Sequence, residues 1–306
     1  MILGEPIILG GGGGIVCVVI ISTEAGATVT ATLENTSISK TANADGKAVF
    51  ELKKAGVWTI TASLNGETAS TEIDTSLSLE MELSFVSPIL ENNSWETISK
   101  VAREGKAATL WNVGDTKSFV MDGVTYKAQI VGFDHYDVAD PTAYGRQKAG
   151  ILFQFEKTTT KNYRMNPTDN TSGGYIAMAL CSTVEGFISL IESDLSNVIQ
   201  QVSINYLSKY NATSASETKA KMFLPTEFEI FGEKVYAPIN IGEQYSFYAA
   251  GNLPIKTDVA SSANRMWWLR SLKSSSSTNG LAVSTYGGSY TQSVKSYGYV
   301  APVFCI

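Results

Sequence analysis

The sequence predicts a multidomain fold in which an all-β sandwich precedes an α+β domain. Short β-branched runs separated by turn signals fill residues 15–85, and a helical stripe follows near residue 95. Helix-like and strand-like segments then mix up to the C terminus. With 306 residues, 44% of them hydrophobic, the chain can bury more than one sizeable core. We therefore expect a short N-terminal segment over residues 1–14, a sandwich over 15–85 and an α+β domain over 86–306.

The first fourteen residues combine an apolar peptide with a glycine run. Residues 1–9 read MILGEPIIL, and Gly10 to Gly14 have the large backbone freedom of a flexible joint. This pattern favours docking of the peptide on a partner or a neighbouring subunit, and a frayed terminus is the alternative. No Lys or Arg precedes Lys40 and no small-residue cleavage pattern follows, so we expect no secretory signal. The apolar run Ile15–Ile21 is too short for a membrane-spanning helix.

Residues 15–85 show the alternation of strands that bury one face. Turn signals at Ala25-Gly26, Asn43–Gly46, Lys54–Gly56 and Asn65-Gly66 separate the runs. The strands predicted between them are Thr28–Leu33, Ala48–Leu52, Val57–Ser63 and Thr68–Ile73. Their number and spacing predict a small β-sandwich.

The second domain is expected to open with a helix and a hairpin. Trp95, Ile98 and Val101 share a helical stripe that ends at Gly105. The strands predicted next are Lys117–Met121, Val124–Val131 and Ile151–Glu156, with Asp122-Gly123 as the turn between the first two.

The middle of this domain is predicted to be helical. A capping-box pattern at Ser182–Glu185 precedes apolar residues at three- and four-residue steps, namely Val184, Phe187, Ile191, Leu195, Val198 and Val202. Ser193-Asp194 is a candidate break between two helices. Leu224–Gly232 predicts a short helix or turn, with Pro225 near its start. We expect strands to return only at the C terminus.

Charge and cysteine usage exclude several function classes. The net charge is −6, and residues 86–306 hold nineteen basic and nineteen acidic residues, so no basic face for nucleic acid is predicted. The sequence contains three cysteines, an odd number, at Cys17, Cys181 and Cys305, and none of them lies in a CxxC pattern. They are therefore interpreted as buried free thiols rather than as a disulfide framework.

His135 is the only histidine, and it follows a predicted strand beside Asp134 and Asp137. A histidine-based metal site would need further His or Cys ligands, so we interpret His135 as structural and expect no metal or cofactor there. A calcium site built from carboxylate, amide and carbonyl oxygens stays open.

No motif in the sequence indicates a catalytic site. The glycine run lacks the Lys-Ser/Thr of a phosphate loop, and no G-x-S-x-G nucleophile elbow occurs. Glu227 and Glu229 lie two residues apart, a spacing that does not indicate a glycosidase pair. We therefore expect a non-enzymatic protein.

The segment Met266–Ser271 is an aromatic and basic strand. Alternation places Trp268 and Arg270 on one face and Trp267 on the other, which predicts a buried scaffold with an arginine stacked on a ring. The functional alternative is an aromatic platform for a sugar.

The stretch Ser274–Tyr299 has the composition of a binding surface. Sixteen of its twenty-six residues are Ser, Tyr or Gly, and Lys295 is its one charged residue. The candidate ligand contacts are Tyr286, Ser289, Tyr290, Gln292 and Tyr297. A long irregular surface loop without a ligand is the alternative.

Six ordered blocks resemble an uncharacterised domain of bacterial and prophage proteins. They are Trp111–Asp115, Ile130–His135, Met165-Asn166 with Asn170–Tyr175, Leu224–Glu229, Trp267–Ser271 and Ala301–Ile306. That domain is similar to the C-type-lectin-like fold of formylglycine-generating enzymes and phage receptor-binding proteins. Residues 44–60 of the sandwich resemble carboxypeptidase-regulatory and PEGA-like modules, which are immunoglobulin-like.

The resemblance implies a non-enzymatic phage virion protein, from a tail fibre, baseplate or capsid decoration, whose lectin-like domain binds a host cell-surface glycan or protein. Together with the apolar N-terminal peptide and the charge distribution, we expect contact with other virion proteins through residues 1–14, a homo-oligomer such as a trimer, and no nucleic acid or membrane insertion. Two alternatives remain: a purely structural decoration protein that contacts only neighbouring subunits, and an enzyme acting on glycans or cysteine-containing peptides through His135 or Cys305.

Overall fold

The computed structural model describes residues 17–306, apart from the side chain of Glu67. The docking peptide and glycine joint expected at 1–14 lie outside the described residues, as do residues 15 and 16. The chain divides into two compact units, which meet in sequence between Ser87 and Pro88. Strand exceeds helix in both, most clearly in the described part of the N-terminal unit, so the protein is mainly β.

The described part of the N-terminal unit, residues 17–87, contains seven strands. They are β1 Cys17–Ser22, β2 Thr28–Leu33, β3 Thr36–Thr41, β4 Lys47–Leu52, β5 Val57–Leu64, β6 Glu67–Asp74 and β7 Glu80–Glu82. They form two sheets, of order β4-β1-β7 and β3-β2-β5-β6. Alternate residues of both sheets, Val19, Phe50, Trp58 and Ile60 among them, share one core. The four strands predicted between turn signals are confirmed within one residue at each end.

Strand β3 was not predicted, because its hydroxyl-rich sequence carries a single large apolar residue, Ile38. It is an edge strand that pairs with β2 along its whole length. A reversal at Glu34, in the left-handed backbone region, joins the two strands without any Gly.

The C-terminal unit is built on a five-stranded sheet of β8 Thr116–Met121, β9 Val124–Phe133, β10 Ile151–Phe155, β14 Met222–Phe223 and β21 Val303–Cys305. The order of these strands in the sheet is β14-β21-β10-β9-β8. The chain end lies inside this sheet, since Ile306 is fully buried and exchanges two 3.0 Å backbone hydrogen bonds with Ile151. Phe153 and Phe304 stack across it at 5.4 Å.

Small sheets and short helices complete this unit. The remaining strands are β11 Tyr163–Arg164, β12 Val202–Tyr206, β13 Ser216–Ala220, β15 Lys256–Thr257, β16 Asn264–Arg265, β17 Trp267–Leu272, β18 Asn279–Val283, β19 Ser289–Ser293 and β20 Tyr297–Gly298. The helices are α1 Trp95–Arg103, α2 Ala107–Leu110, α3 Pro141–Tyr144, α4 Ala179–Gly186, α5 Ser193–Ser196, α6 Glu227–Phe231 and α7 Ser246–Ala249, with 3-10 turns at Leu90–Asn92, Tyr175–Ala177 and Phe187–Leu190. The expected helix near residue 95 is confirmed as α1, which Ser94 caps through the Thr97 amide.

Two predictions about the middle of this unit are wrong. Helix α4 begins three residues before Ser182 and ends at Gly186, so Ser182 is not its cap. The apolar spacing carried the predicted helix too far, because Val202 belongs to the hairpin of β12 and β13. Strands therefore return well before the C terminus. The predicted break at Ser193 is confirmed as the start of α5.

No helix within residues 17–306 is long and apolar enough to cross a membrane.

Candidate ligand-binding surface

The segment Ser274–Tyr299, for which an irregular loop was the alternative to a binding surface, contains an ordered hairpin. Strands β18 and β19 pair antiparallel over five residues, and β18 also pairs with β17. The buried run Leu281–Val283 provides the apolar side of β18, and Ser284–Gly288 forms the turn. Side chains on this hairpin are therefore held by sheet hydrogen bonds to the scaffold.

Three tyrosines of this region are exposed. Tyr286 projects from the turn with 89% of its surface exposed, Tyr290 lies on β19 with 45% exposed, and Tyr297 lies on β20 with 55% exposed. The guanidinium of Arg164 lies 4.6 Å from the centre of the Tyr297 ring. We call Tyr286, Tyr290 and Tyr297 the tyrosine surface.

The two remaining candidate residues have different surroundings. Gln292 is partly buried, and its side-chain amide donates to the carbonyl of Tyr297, which links β19 to β20. Ser289 alternates with Tyr290 along β19, so it points to the other side of the sheet. Its hydroxyl donates to the carboxylate of Glu227 at 2.5 Å. Ser289 thus supports the surface from beneath.

Glu227 is a buried carboxylate that no sequence pattern marked as a support. Its side chain accepts hydrogen bonds from the amides of Val235, Tyr236 and Ala237 as well as from Ser289. Four donors compensate the desolvation of this fully buried charge. The carboxylate therefore ties the loop at 235–237 to the hairpin.

The turn that carries Tyr286 lies close to an apolar loop. Ile255 of this loop is partly exposed, and Leu253, two residues earlier, is 71% exposed. A Cβ atom added to Gly287 would lie 2.9 Å from Ile255 Cγ1, so the hairpin turn approaches this loop closely. The side-chain amide of Asn264 donates to the carbonyl of Thr285 and fixes the same turn. Large exposed rings on a fixed backbone, beside aliphatic side chains, suit a binding contact.

The aromatic and basic strand is β17, which pairs with β18 in the same sheet as the hairpin. Trp267 and Trp268 are fully buried, and their indole N–H groups donate to the carbonyls of Pro254 and Tyr163, each at 3.0 Å. They are therefore scaffold, as predicted, and the alternative of a tryptophan sugar platform is wrong. Arg270 stacks on Phe223 at 5.3 Å rather than on a tryptophan.

Arg270 has a buried partner that the sequence did not indicate. Its guanidinium contacts Glu229 at 2.5 Å, and both side chains are at most 1% exposed. Tyr136 and Tyr245 donate their hydroxyls to the same carboxylate at 2.7 and 2.9 Å. Burial raises the pKa values of both tyrosines well above 10, and the neighbouring Glu229 raises them further. Glu229 also completes the capping box of α6 with Thr226.

A polar pocket of about 200 Å³ opens above this network. It is lined by His135, Tyr136, Asp137, Lys148, Ser203, Asn205, Glu217, Glu229, Gly242, Glu243 and Arg270. The ring of His135 packs edge-on against Tyr136 and Tyr245, and burial lowers its pKa. Within residues 17–306, no group of three His, Cys, Asp or Glu side chains is placed to hold a metal ion.

The cysteine thiols of the C-terminal unit are protonated near neutral pH. Burial raises the pKa of Cys181 to about 11 and that of Cys305 further. None of the three cysteines forms a disulfide, as expected. Cys17 and Cys305 are buried, but Cys181 is partly exposed, so the expectation of a buried thiol is wrong there. A thiol needs its thiolate form to act as a nucleophile, so Cys305 lacks the chemistry of a reactive cysteine.

The fold and these surroundings define a mainly β protein whose C-terminal unit presents exposed tyrosines on a rigid, charge-paired scaffold. Residues 150–306 match the family DUF6273, described as a domain of unknown function. The match covers just over half of the chain, and the protein belongs to this family. It runs from the start of β10 to the C terminus and includes the whole tyrosine surface. No curated protein matches the chain.

Proposed function

We propose that the chain is a non-enzymatic phage virion protein whose C-terminal unit binds a host cell surface through the tyrosine surface. The observation that carries the proposal is the exposure of Tyr286 and Tyr290 on a hairpin fixed by sheet pairing and by Glu227. Rigid aromatic side chains gain contact area at low entropic cost, so they supply the anchors of many binding surfaces.

The proposed function includes a specific fold class for each unit. We assign the N-terminal unit to the immunoglobulin-like sandwiches and the C-terminal unit to the C-type-lectin-like folds. The sandwich then acts as a spacer, and residues 1–14 contact other virion proteins. The lectin-like unit presents the hairpin to a glycan or protein of the host. We expect the particle to contain a homo-oligomer, and a trimer fits a tail fibre.

The first alternative is a purely structural decoration protein. In that case the tyrosine surface contacts only neighbouring subunits of the particle. The apolar residues 1–9 favour this alternative, since a docking peptide serves assembly equally well. The second alternative, an enzyme that uses Cys305 or His135, is disfavoured by the raised pKa of the Cys305 thiol.

The test is binding of the fluorescently labelled full chain to intact bacterial cells of a strain panel. We expect saturable binding to at least one strain, and a loss of at least tenfold in affinity when Tyr286, Tyr290 and Tyr297 are all changed to Ala. Leu77→Ser is the matched control, because Leu77 is 83% exposed but lies in the N-terminal unit. Equal binding by the triple variant and the control would refute the role of the tyrosines. Binding to no strain would favour the structural alternative.

A further inference from the structure

The polar pocket of the C-terminal unit has a buried, charge-paired lining at its base. Arg270 and Glu229 both line it, and their side chains are at most 1% exposed. The guanidinium of Arg270 donates to Glu229 and to the carbonyls of Leu224 and Asn205. The carboxylate of Glu229 also accepts two tyrosine hydroxyls and a backbone amide. These two charges compensate each other, so the base of the pocket is rigid and adds no net charge.

The remaining acidic groups of the lining have few partners. Within residues 17–306, the carboxylates of Asp137 and Glu243 make no hydrogen bond and no ion pair. A third carboxylate, that of Glu217, accepts one hydrogen bond, from the hydroxyl of Ser203 at 3.3 Å. Lys148 is the cation that faces these three carboxylates in the lining, and its Nζ atom makes its hydrogen bond to a backbone carbonyl at 3.5 Å. The lining therefore carries two negative charges in excess.

The imidazole of His135 gives a second, independent indication of a ligand. In the described part of the chain, neither ring nitrogen has a hydrogen-bond partner. Neither nitrogen is enclosed, since the fully buried side-chain atoms without a partner belong to other residues. Burial lowers the pKa of His135, so the ring is neutral at pH 7 and offers one N–H donor and one acceptor. The fold uses neither, although it uses both faces of the ring for packing on Tyr136 and Tyr245.

The size of the pocket limits its ligand to a small molecule. An apolar cavity of about 150 Å³ is enough to hold benzene. A pocket of about 200 Å³ therefore holds one six-membered ring with its substituents. It is smaller than the pockets of about 300 Å³ or more that take drug-sized ligands, so nucleotides and oligosaccharides do not fit inside it.

The charge of the pocket selects the kind of small molecule. Excess negative charge in a concave site attracts cations and repels anions. A metal ion is disfavoured, because no group of three His, Cys, Asp or Glu side chains within residues 17–306 is placed to hold one. An organic ammonium group needs acceptor oxygens rather than a coordination shell, and the free carboxylates supply them.

We propose that the polar pocket binds a small organic ammonium compound no larger than an amino sugar. Its ammonium group donates to the carboxylates of Asp137 and Glu243, and its hydroxyl groups exchange hydrogen bonds with the imidazole of His135. Because the carboxylates are partly open to solvent, added salt weakens the contact. The pocket shares no residue with the tyrosine surface, so this inference stands or falls separately from the proposed function.

His135 also provides the signal that tests the proposal. It is the only histidine of the chain, so protein with ¹³C-labelled histidine and no affinity tag gives one imidazole Cε1–Hε1 signal in NMR. The full chain is titrated at pH 7 and constant ionic strength with glucosamine, glucose or glucuronate, and with ethanolamine or ethylene glycol. The two sets compare cationic, neutral and anionic molecules of similar size. We expect a saturable shift with a cation, and at least tenfold weaker binding of its uncharged counterpart.

Variants locate the binding in the pocket. Asp137→Asn and Glu243→Gln each remove one free carboxylate from an exposed position, so both should fold normally and bind the ammonium probe at least fivefold more weakly. The matched control is Glu96→Gln, which removes an exposed carboxylate of the same unit outside the pocket. The control should bind like the wild type, and so should the variant with Tyr286, Tyr290 and Tyr297 changed to Ala.

Three results would overturn the proposal. The first is the absence of a saturable His135 shift with both ammonium probes. The second is equal or tighter binding of glucose or glucuronate than of glucosamine, which would contradict the selection by charge. The third is an equal loss of binding in Glu243→Gln and Glu96→Gln, which would show a general charge effect instead of a site. Loss of cell binding by the tyrosine variant, with the His135 shift retained, would separate the two sites.

Discussion

The ion pair of Arg270 and Glu229 is the feature of the scaffold whose loss should cost most. We consider Glu229→Gln, which keeps the size of the side chain but removes its charge. Arg270 then keeps its hydrogen bonds to the carbonyls of Leu224 and Asn205 but faces no anion. Since its side chain is 1% exposed, water cannot compensate for the lost carboxylate.

The magnitude follows from burial. Removing one partner of a buried ion pair costs about 3 to 5 kcal/mol, because the remaining charge is left uncompensated. For a unit of this size, each 1 kcal/mol lowers the melting temperature by about 2 to 4 °C, so we expect a drop of about 10 °C. The double variant Glu229→Gln, Arg270→Met should recover part of the loss, since it leaves no unpaired charge.

Differential scanning calorimetry of the full chain measures this effect. The matched control is Asp122→Asn, which removes the exposed ion pair with Lys161 at 3.6 Å in the same unit and keeps a residue that tolerates the left-handed turn. That pair should contribute less than about 1 kcal/mol. A melting temperature of Glu229→Gln within 2 °C of the control would refute the reasoning about the buried pair.

Three further changes test other parts of the structure. Burial lowers the pKa of Lys256 to about 7, so the folded chain binds fewer protons than the unfolded chain above pH 7. Urea unfolding at several pH values gives the difference in free energy of unfolding between the wild type and Lys256→Met. This difference should rise by up to about 1.4 kcal/mol per pH unit between pH 7 and 9.5. A difference that stays constant with pH would contradict the burial of Lys256. Glu227→Ala leaves three backbone amides without their acceptor, so it should lower the free energy of unfolding in urea by about 3 kcal/mol or more. Glu227→Gln keeps one carbonyl oxygen and should lower it by about 1 kcal/mol. Equal losses for the two variants would argue against the amide contacts. Gly174 has φ +71° and ψ −165°, and an added Cβ would lie 1.7 Å from the carbonyl oxygen of Leu207. Gly174→Ala should therefore lower the free energy of unfolding by more than about 3 kcal/mol in the same assay. An unchanged urea midpoint would refute the close approach.

Local patterns in the sequence predicted much of the N-terminal unit. The turns at Asn65-Gly66 and at Asn43–Gly46 bound strands whose alternation matches the buried face. Strand β3 was not predicted, because strands are recognised in a sequence by hydrophobic periodicity and Thr36–Thr41 shows little of it. Its place is fixed instead by pairing with β2, which is a tertiary property.

The C-terminal unit was harder to predict because its contacts join residues distant in sequence. Arg270 pairs with Glu229, forty-one positions earlier, and Tyr136 reaches the same carboxylate across ninety-three positions. No local pattern encodes such partners. Thr226 and Glu229 do show the spacing of a capping box, which was a readable sign that this glutamate is fixed at a helix start.

The candidate surface was predicted from composition, but the residues that support it were not. Tyr286, Tyr290 and Tyr297 are exposed as a binding role requires. Ser289 was also a candidate contact, yet its position on β19 turns it toward Glu227. The difference is one residue of strand alternation, which the sequence of an unassigned hairpin could not settle.

Nitration of tyrosines on cell-bound protein tests the central claim most directly. Full-length protein, free or bound to a strain that it recognises, is treated with tetranitromethane, and modification at each tyrosine is quantified by mass spectrometry. We predict that Tyr286 and Tyr290 are nitrated in the free protein and at least fivefold less in the bound protein. Equal nitration of Tyr286 in the two states would contradict binding through the tyrosine surface.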